Sequence, residues 1–154
     1  MHDVGKIAIS DAILNKPGKL TQEEYEIMKT HTIKGSEILD LIPQFKDNRM
    51  YQYAYDICRH HHERWDGKGY PDGLKEEEIS IWAQVVSIAD VYDALTTERV
   101  YKSAIPVEEA LETIRTGKCG QFNPELLGAL EEVLKNKSSN IRNGAGFKES
   151  HPKT

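Results

Sequence analysis

The sequence predicts an all-α fold, and three observations carry that reading. Thr21 and Glu24 stand as the two halves of a capping box, with Leu20 and Tyr25 placed as its hydrophobic staple. Apolar residues recur at helical spacing in several separate segments. No stretch alternates with the period of two that strands require, and no internal repeat is evident.

The elements follow in order. The first long helix opens at Thr21 and runs to about Leu41, with Met28, Gly35, Ile38, Leu39 and Ile42 on one stripe, His31 at its edge and Pro43 closing it. A second spans about Asp47 to His61, its inner face Tyr51, Ala54, Tyr55 and Cys58. Two glycines and a proline then break the helix in Asp66-Gly67-Lys68-Gly69-Tyr70-Pro71, because glycine permits positive φ and Pro71 disfavours helix at Tyr70. Helix resumes near Ile81, carrying Val85, Ala89, Tyr92 and Leu95 inward, with Asp90 and Asp93 on a shared side. A shorter helix from Val107 to about Arg115 buries Val107, Ala110, Leu111 and Ile114. Asn123 and Pro124 start the last helix as N-cap and first position, and Leu126, Leu127, Leu130, Val133 and Leu134 pack. From Lys135 onward the residues are mostly polar and read as a mobile tail.

Composition narrows the function. A chain of 154 residues with 38% hydrophobic content supports one core. A net charge of -5 argues against a nucleic-acid polymer as partner, which needs a basic face. Cys58 and Cys119 show no metal-ligand spacing and suggest reduced thiols in the cytoplasm. No apolar run approaches a membrane-spanning length, and no secretory signal is visible.

The chemistry concentrates in histidine and aspartate. Adjacent imidazoles such as His61 and His62 rarely serve a core, and each offers a nitrogen donor to a divalent metal. Neighbours on a helix point about 100° apart, so the pair either binds two ions or sits where the helix unwinds. His60, beside them, reads as a solvated residue near a helix C-terminus. His2 and Asp3 form a second adjacent pair, followed by Gly5 and Lys6. His31 and Asp90 each lie within a helical pattern, and a carboxylate among apolar residues is costly unless a positive group meets it. Taken singly, His31 reads as an ordinary helical histidine, and Asp90 as a partner for an arginine. Together, His2, Asp3, His31, His61, His62 and Asp90 make six candidates on four segments, a set suited to a cluster of divalent ions. A closed zinc site would favour cysteine.

The chain resembles the HD-GYP domains, the metal-dependent phosphodiesterase branch of the HD superfamily. The matching residues are His2-Asp3-Val4-Gly5-Lys6, Leu14 through Thr21, His61 through Leu74, Asp90 through Thr96, Arg99, Tyr101-Lys102 and Phe122-Asn123-Pro124. They extend from Met1 to about Val133. Asn123 stands where many members have Asp, an exchange an N-cap tolerates.

The resemblance implies an HD-type helical bundle that hydrolyses cyclic di-GMP to the linear dinucleotide or GMP. It implies two divalent ions, iron or manganese, on His2, Asp3, His31, His61, His62 and Asp90, with Asp3 as the bridging carboxylate. Such ions would also reverse the local charge of an acidic protein that must accept an anion. Lys6, one turn from Asp3, is placed to meet a phosphate oxygen, its alternative being a surface ion pair. Asp93 is a candidate to orient or deprotonate the attacking water, or a structural helix partner. Arg99 and Lys102 match positions that contact substrate phosphate, where a guanidinium suits bidentate contact. Gly69, Tyr70 and Pro71 shape the mouth of the site and offer a docking surface.

In the family, helices precede the HD pair. Here His2 is the second residue, so the expected domain is N-terminally truncated, spanning residues 1–134 and followed by a tail over 135–154. Uncovered apolar faces on such a bundle predict a homo-oligomer, and diguanylate cyclase or sensor domains are the partners that resemblance suggests. Two other readings stand beside the enzyme: a non-catalytic cyclic-dinucleotide receptor or docking module, and an HD phosphohydrolase for another nucleotide, against which the GYP loop argues.

Overall fold

The computed structural model describes residues 1–46, 48–98 and 103–144, with side chains described to 137, Phe45 apart. A 3₁₀ turn, η1 (Val4–Ala8), leads into a one-turn helix α1 (Asp11–Leu14). There follow α2 (Gln22–Lys29), α3 (His31–Asp40), a short α4 (Pro43–Lys46) and α5 (Arg49–His60). After a loop and a 3₁₀ turn η2 (Glu76–Glu78) come α6 (Ile81–Thr96), α7 (Val107–Arg115) and α8 (Pro124–Gly144). Among the described residues the only β pairing is two isolated bridges, Asp66 with Lys75 and Lys118 with Gly120.

Local chemistry sets the helix starts. Thr21 Oγ1 accepts from the Glu24 N–H while the Glu24 carboxylate accepts from the Thr21 N–H, which completes the capping box. The Asn48 side chain accepts from the Met50 N–H, so α5 begins just past Asp47, which lies outside the described residues. Asn123 accepts from the Glu125 N–H and Pro124 takes the first helical position, as the sequence predicts.

The single helix expected from Thr21 to Leu41 is two, divided at Thr30. The Thr30 and Thr32 hydroxyls donate to the carbonyls of Ile27 and Lys29, and the His31 ring bonds the Met28 carbonyl. These side chains compete with the helical ladder at the joint. Beyond it the inward stripe is His31, Thr32, Gly35, Ser36 and Leu39, so His31 is buried and not at an edge, while Ile42 is exposed.

That stripe of small residues admits close neighbours. α3 lies against both η1 and α5. A Cβ on Gly5 would stand 1.9 Å from the His31 carbonyl oxygen and 2.5 Å from the Gly35 nitrogen, so only glycine lets η1 settle there. Leu39, Ala54 and Cys58 form the core of this half, with Val4, Tyr51 and Tyr55 packed around them.

The other half is built on α6. Ile88, Leu95, Ala110 and Ile114 are buried together, with Val91, Tyr92, Phe122, Leu127 and Leu130 around them. The face that α6 buries matches the expected one only in part: Leu95 is buried and Tyr92 packs on the core, but Val85 and Ala89 are exposed, and Ala83, Gln84, Ser87 and Ile88 are inside. Gln84 and Ser87 tolerate burial because distant groups satisfy them. Gln84 donates to the Ile79 carbonyl and accepts from Asn123, and Ser87 accepts from Arg64. Val107 and Val133, expected to pack, are 37% and 62% exposed. α8 continues to Gly144, past Leu134 where the apolar pattern ends; residues 145–154 lie outside the described residues.

Candidate metal centre

α5 stops at His60, and His61 caps it with the next residue already turning away. The helix therefore unwinds at the histidine pair, which lets both rings face one point. His61 Nδ1 bonds the carbonyls of Ile57 and Cys58 at 2.9 and 3.1 Å, and His31 Nδ1 bonds the Met28 carbonyl at 2.8 Å. A carbonyl only accepts, so each Nδ1 carries the proton and each Nε2 presents a lone pair. The two Nε2 atoms stand 3.3 Å apart, and one ligand atom from each of His31, His61 and His62 falls within 4.8 Å of the others.

The N-terminal segment closes over this cluster. Asp3 Oδ1 is 3.5 Å from His31 Nε2 and 4.0 Å from His61 Nε2. Its other oxygen meets Lys6 Nζ at 2.7 Å and His2 Nε2 at 3.4 Å, and His2 Nε2 lies 3.7 Å from Asp90 Oδ1 on α6. All six sequence candidates thus converge, from η1's leading edge, α3, the end of α5 and α6.

Electrostatics suit cation binding. Burial depresses His61 to about 4, with the neighbouring His31 adding to it, and burial pushes His31 and His62 down as well. These rings are neutral at physiological pH, the form that ligates a metal. Burial raises the Asp3 carboxyl, but His2 and Lys6 more than reverse it and hold it well below the usual carboxylate range. Neutral nitrogen donors around an ionised, bridging-capable oxygen donor fit divalent cations of the manganese, iron or zinc type.

The other expected residues are placed unevenly. Lys6 makes the ion pair with Asp3. Asp93 lies one turn beyond Asp90 on α6, exposed, and accepts from the Thr97 hydroxyl at 3.0 Å. Arg99 and Lys102 lie outside the described residues. Tyr70 stacks on His62 with centroids 4.8 Å apart, and its peptide bond to Pro71 is cis. His60 is not solvated: its Nε2 is 3.0 Å from the Asp72 carboxylate, which Arg59 also grips through two nitrogens. A cleft of about 370 Å³ opens beside the centre, lined by Tyr25, His62, Arg64, Gly69, Tyr70 and Gln121 among others.

Two residues were missed in the sequence. Glu63 is 2% exposed and holds the loop, accepting from the N–H groups of Asp72, Gly73 and Leu74. Arg64 ties the same loop to the other half through the carbonyls of Glu63 and Cys119 and the Ser87 hydroxyl. Their one signal is adjacency, two opposite charges directly after a ligand pair, which reads equally well as a surface ion pair.

Helices carrying a His/Asp cluster from separate segments define a metal-dependent HD fold, and a family model described as HD domain matches residues 1–126. The chain belongs to that family. It is 45% identical over 135 residues to a cyclic di-GMP phosphodiesterase of Thermotoga maritima, covering 88% of this chain and 36% of that protein. It is 43% identical over 132 residues to 3'3'-cGAMP-specific phosphodiesterase 2 of Vibrio cholerae, covering 86% and 24%. Among solved structures it matches Bd1817, an HDG"Y"P protein from Bdellovibrio bacteriovorus, with a TM-score of 0.63 at 27% identity, over 87% of this chain and 40% of that one. The resemblance to the HD-GYP branch therefore holds. The chain spans between about a quarter and a third of the length of the curated relatives it matches. Among the described residues no helix is long and apolar enough to cross a membrane.

Proposed function

We propose that this chain is the catalytic unit of a cyclic-dinucleotide phosphodiesterase, with cyclic di-GMP as its substrate. The observation that carries the reading is the convergence of one ring nitrogen from each of three imidazoles within 4.8 Å of one another beneath an ionised carboxylate. In this reading residues 1–134 form the HD-GYP unit. His2, Asp3, His31, His61, His62 and Asp90 would hold two divalent ions, iron or manganese. Bound there, the ions supply charge neutralisation for the phosphoryl oxygens and a nucleophile at neutral pH.

The chain's own groups supply the rest. The helix carbonyls of Ile57, Cys58 and Met28 fix the tautomers of His61 and His31 and keep their Nε2 atoms available. Lys6 neutralises Asp3 and stands ready to exchange that oxygen for one of the substrate phosphate. Asp93 takes the role of orienting the attacking water or receiving its proton, and Arg99 and Lys102 that of holding the second phosphate. Gly69, Tyr70 and Pro71 shape the cleft mouth.

A second substrate has specific support. Three of the relatives, 32% to 43% identical, are named 3'3'-cGAMP-specific phosphodiesterases. The deciding experiment loads the chain with Mn²⁺ or Fe²⁺ under reducing conditions and follows hydrolysis of cyclic di-GMP and 3'3'-cGAMP in parallel. Turnover of cyclic di-GMP that disappears with chelation supports the reading. Tight binding of cyclic di-GMP by the loaded chain without turnover would instead make it a receptor.

A further inference from the structure

We propose that Glu63 is a positioning residue that orients the His62 imidazole through the loop it holds, a role that rests on reading His62 as a metal ligand. The contrast among the three clustered histidines motivates it. His31 and His61 are each fixed by a ring N–H donated to a helix carbonyl. His62 has no such bond among the described residues. Its ring meets those of His61 and His31 obliquely, with centroids 4.1 and 5.2 Å away, and is stacked on Tyr70, which lies at 25° to it. Tyr70 is the one of these three rings that is not itself a candidate ligand, so whatever places Tyr70 bears on how the His62 ring is turned.

Glu63 places Tyr70. Its buried carboxylate has no Lys or Arg within ion-pair distance among the described residues, and its charge is met by backbone alone. Oε1 accepts from the Asp72 and Gly73 N–H groups at 2.7 and 3.0 Å, and Oε2 from Leu74 at 3.1 Å. Three convergent N–H dipoles form an anion-binding concavity filled from within the chain. They pull residues 72–74 down onto the start of their own loop, which the Glu76 N–H closes by donating to the Trp65 carbonyl. Folded this way, the loop runs so close that a Cβ on Gly69 would stand 2.3 Å from the Glu63 Cα. The next residue is Tyr70, whose N–H donates to the His62 carbonyl at 3.3 Å as its ring covers the imidazole. The chain of contacts is carboxylate, loop backbone, phenol ring, imidazole.

The Asp72 side chain offers a second anchor of a different kind. It grips Arg59 and His60 on the outer side of the loop and is partly exposed. Exposed pairs contribute little, and this one does not reach Tyr70.

The test measures Mn²⁺ affinity of the metal-stripped chain by titration, together with melting temperature and amide exchange of Tyr70, Asp72, Gly73 and Leu74. Groups that orient a ligand typically cost 10–100-fold in metal affinity when removed. Glu63→Gln keeps the size but offers one acceptor oxygen where two served, and should weaken Mn²⁺ binding at least 10-fold, with faster exchange at 72–74. Tyr70→Ala should weaken it comparably. The double variant should be no weaker than the worse single one, because both act through one ring. Asp72→Ala should retain wild-type affinity.

A merely structural Glu63 would lower the melting temperature while the folded protein kept its affinity, and that result overturns the proposal, as would additive losses. If Glu63→Gln does not fold, Glu63→Asp, one methylene too short to reach all three N–H groups, carries the same expectation. A wild-type chain that binds no Mn²⁺ refutes the metal reading. In that case the exchange arm decides: Tyr70 and Leu74 amides as protected in Glu63→Gln as in wild type would overturn the loop-anchoring role by itself.

Discussion

His31 and His61 present their Nε2 atoms to each other at 3.3 Å across 30 residues of sequence, with the His31 Nδ1 turned to a carbonyl of α2 and the His61 Nδ1 to a carbonyl of α5. Two lone pairs at that distance repel unless something positive lies between or beside them. The Asp3 oxygen lies 3.5 and 4.0 Å away, so a carboxylate and two nitrogen lone pairs converge as a shared cation would require.

Metal loading is the first consequence. The chain reconstituted under reducing conditions should hold two equivalents of iron or manganese, and His61→Ala should lose at least one of them. Elemental analysis after gel filtration measures both. No metal taken up by the wild-type chain would remove the basis of the proposed activity.

Asp3 and Arg99 should separate kinetically. Asp3→Ala removes the shared carboxylate and is expected to abolish hydrolysis of cyclic di-GMP with loss of metal. Arg99→Ala is expected to raise KM chiefly, with metal content unchanged, the pattern of lost uniform binding. Loss of metal in Arg99→Ala would contradict this division of roles.

Acid should destabilise the metal-free protein. Above pH 6.5 folded and unfolded chains both carry His61 neutral. Between 6.5 and about 4 the unfolded chain takes up a proton that burial denies the folded one, so stability falls as pH falls. The loss reaches about 3 kcal/mol for His61 alone and levels off below its folded value. His31 and His62, also depressed by burial, act in the same direction. Urea unfolding at pH 7.5, 6 and 5 reads it, and a constant midpoint across that window would contradict the burial of neutral rings.

Gly5→Ala should disturb both fold and site. The added methyl would stand 1.9 Å from the His31 carbonyl, so η1 must lift away from α3 and take His2 and Asp3 with it. A cost of about 1–3 kcal/mol is expected from overpacking, seen as a lower melting temperature accompanied by weaker Mn²⁺ binding. An unchanged metal affinity would mean that η1 does not set the position of Asp3.

Self-association is the last expectation. Ile81, Trp82 and Val85 on α6 and Met50 on α5 are each 44% exposed or more, and Trp82 packs on Tyr53 between the two helices. An apolar face of this kind invites a partner. Light scattering should show an oligomer that Trp82→Lys dissociates, whereas a monomer up to millimolar concentration would count against it.

The sequence by itself determined what is local or periodic. The capping box at Thr21 and Glu24, the Asn123-Pro124 start, the inner face of α5 and the break after His61 are each written in a few adjacent residues, because caps, turns and helical stripes depend on near neighbours. The His/Asp set was equally legible, since those residue types carry their chemistry with them. Tertiary structure alone decided which residues in the first half of α6 face inward. Gln84 and Ser87 are polar, and partners 39 residues away in one case and 23 in the other, Asn123 and Arg64, help make their burial tolerable. It also decided that His31 is buried, through the close approach of Gly5, and that Glu63 spends its charge on backbone N–H groups nine to eleven residues on. A carboxylate's partner is a fact of three-dimensional proximity, and no pattern of spacing in the chain encodes it.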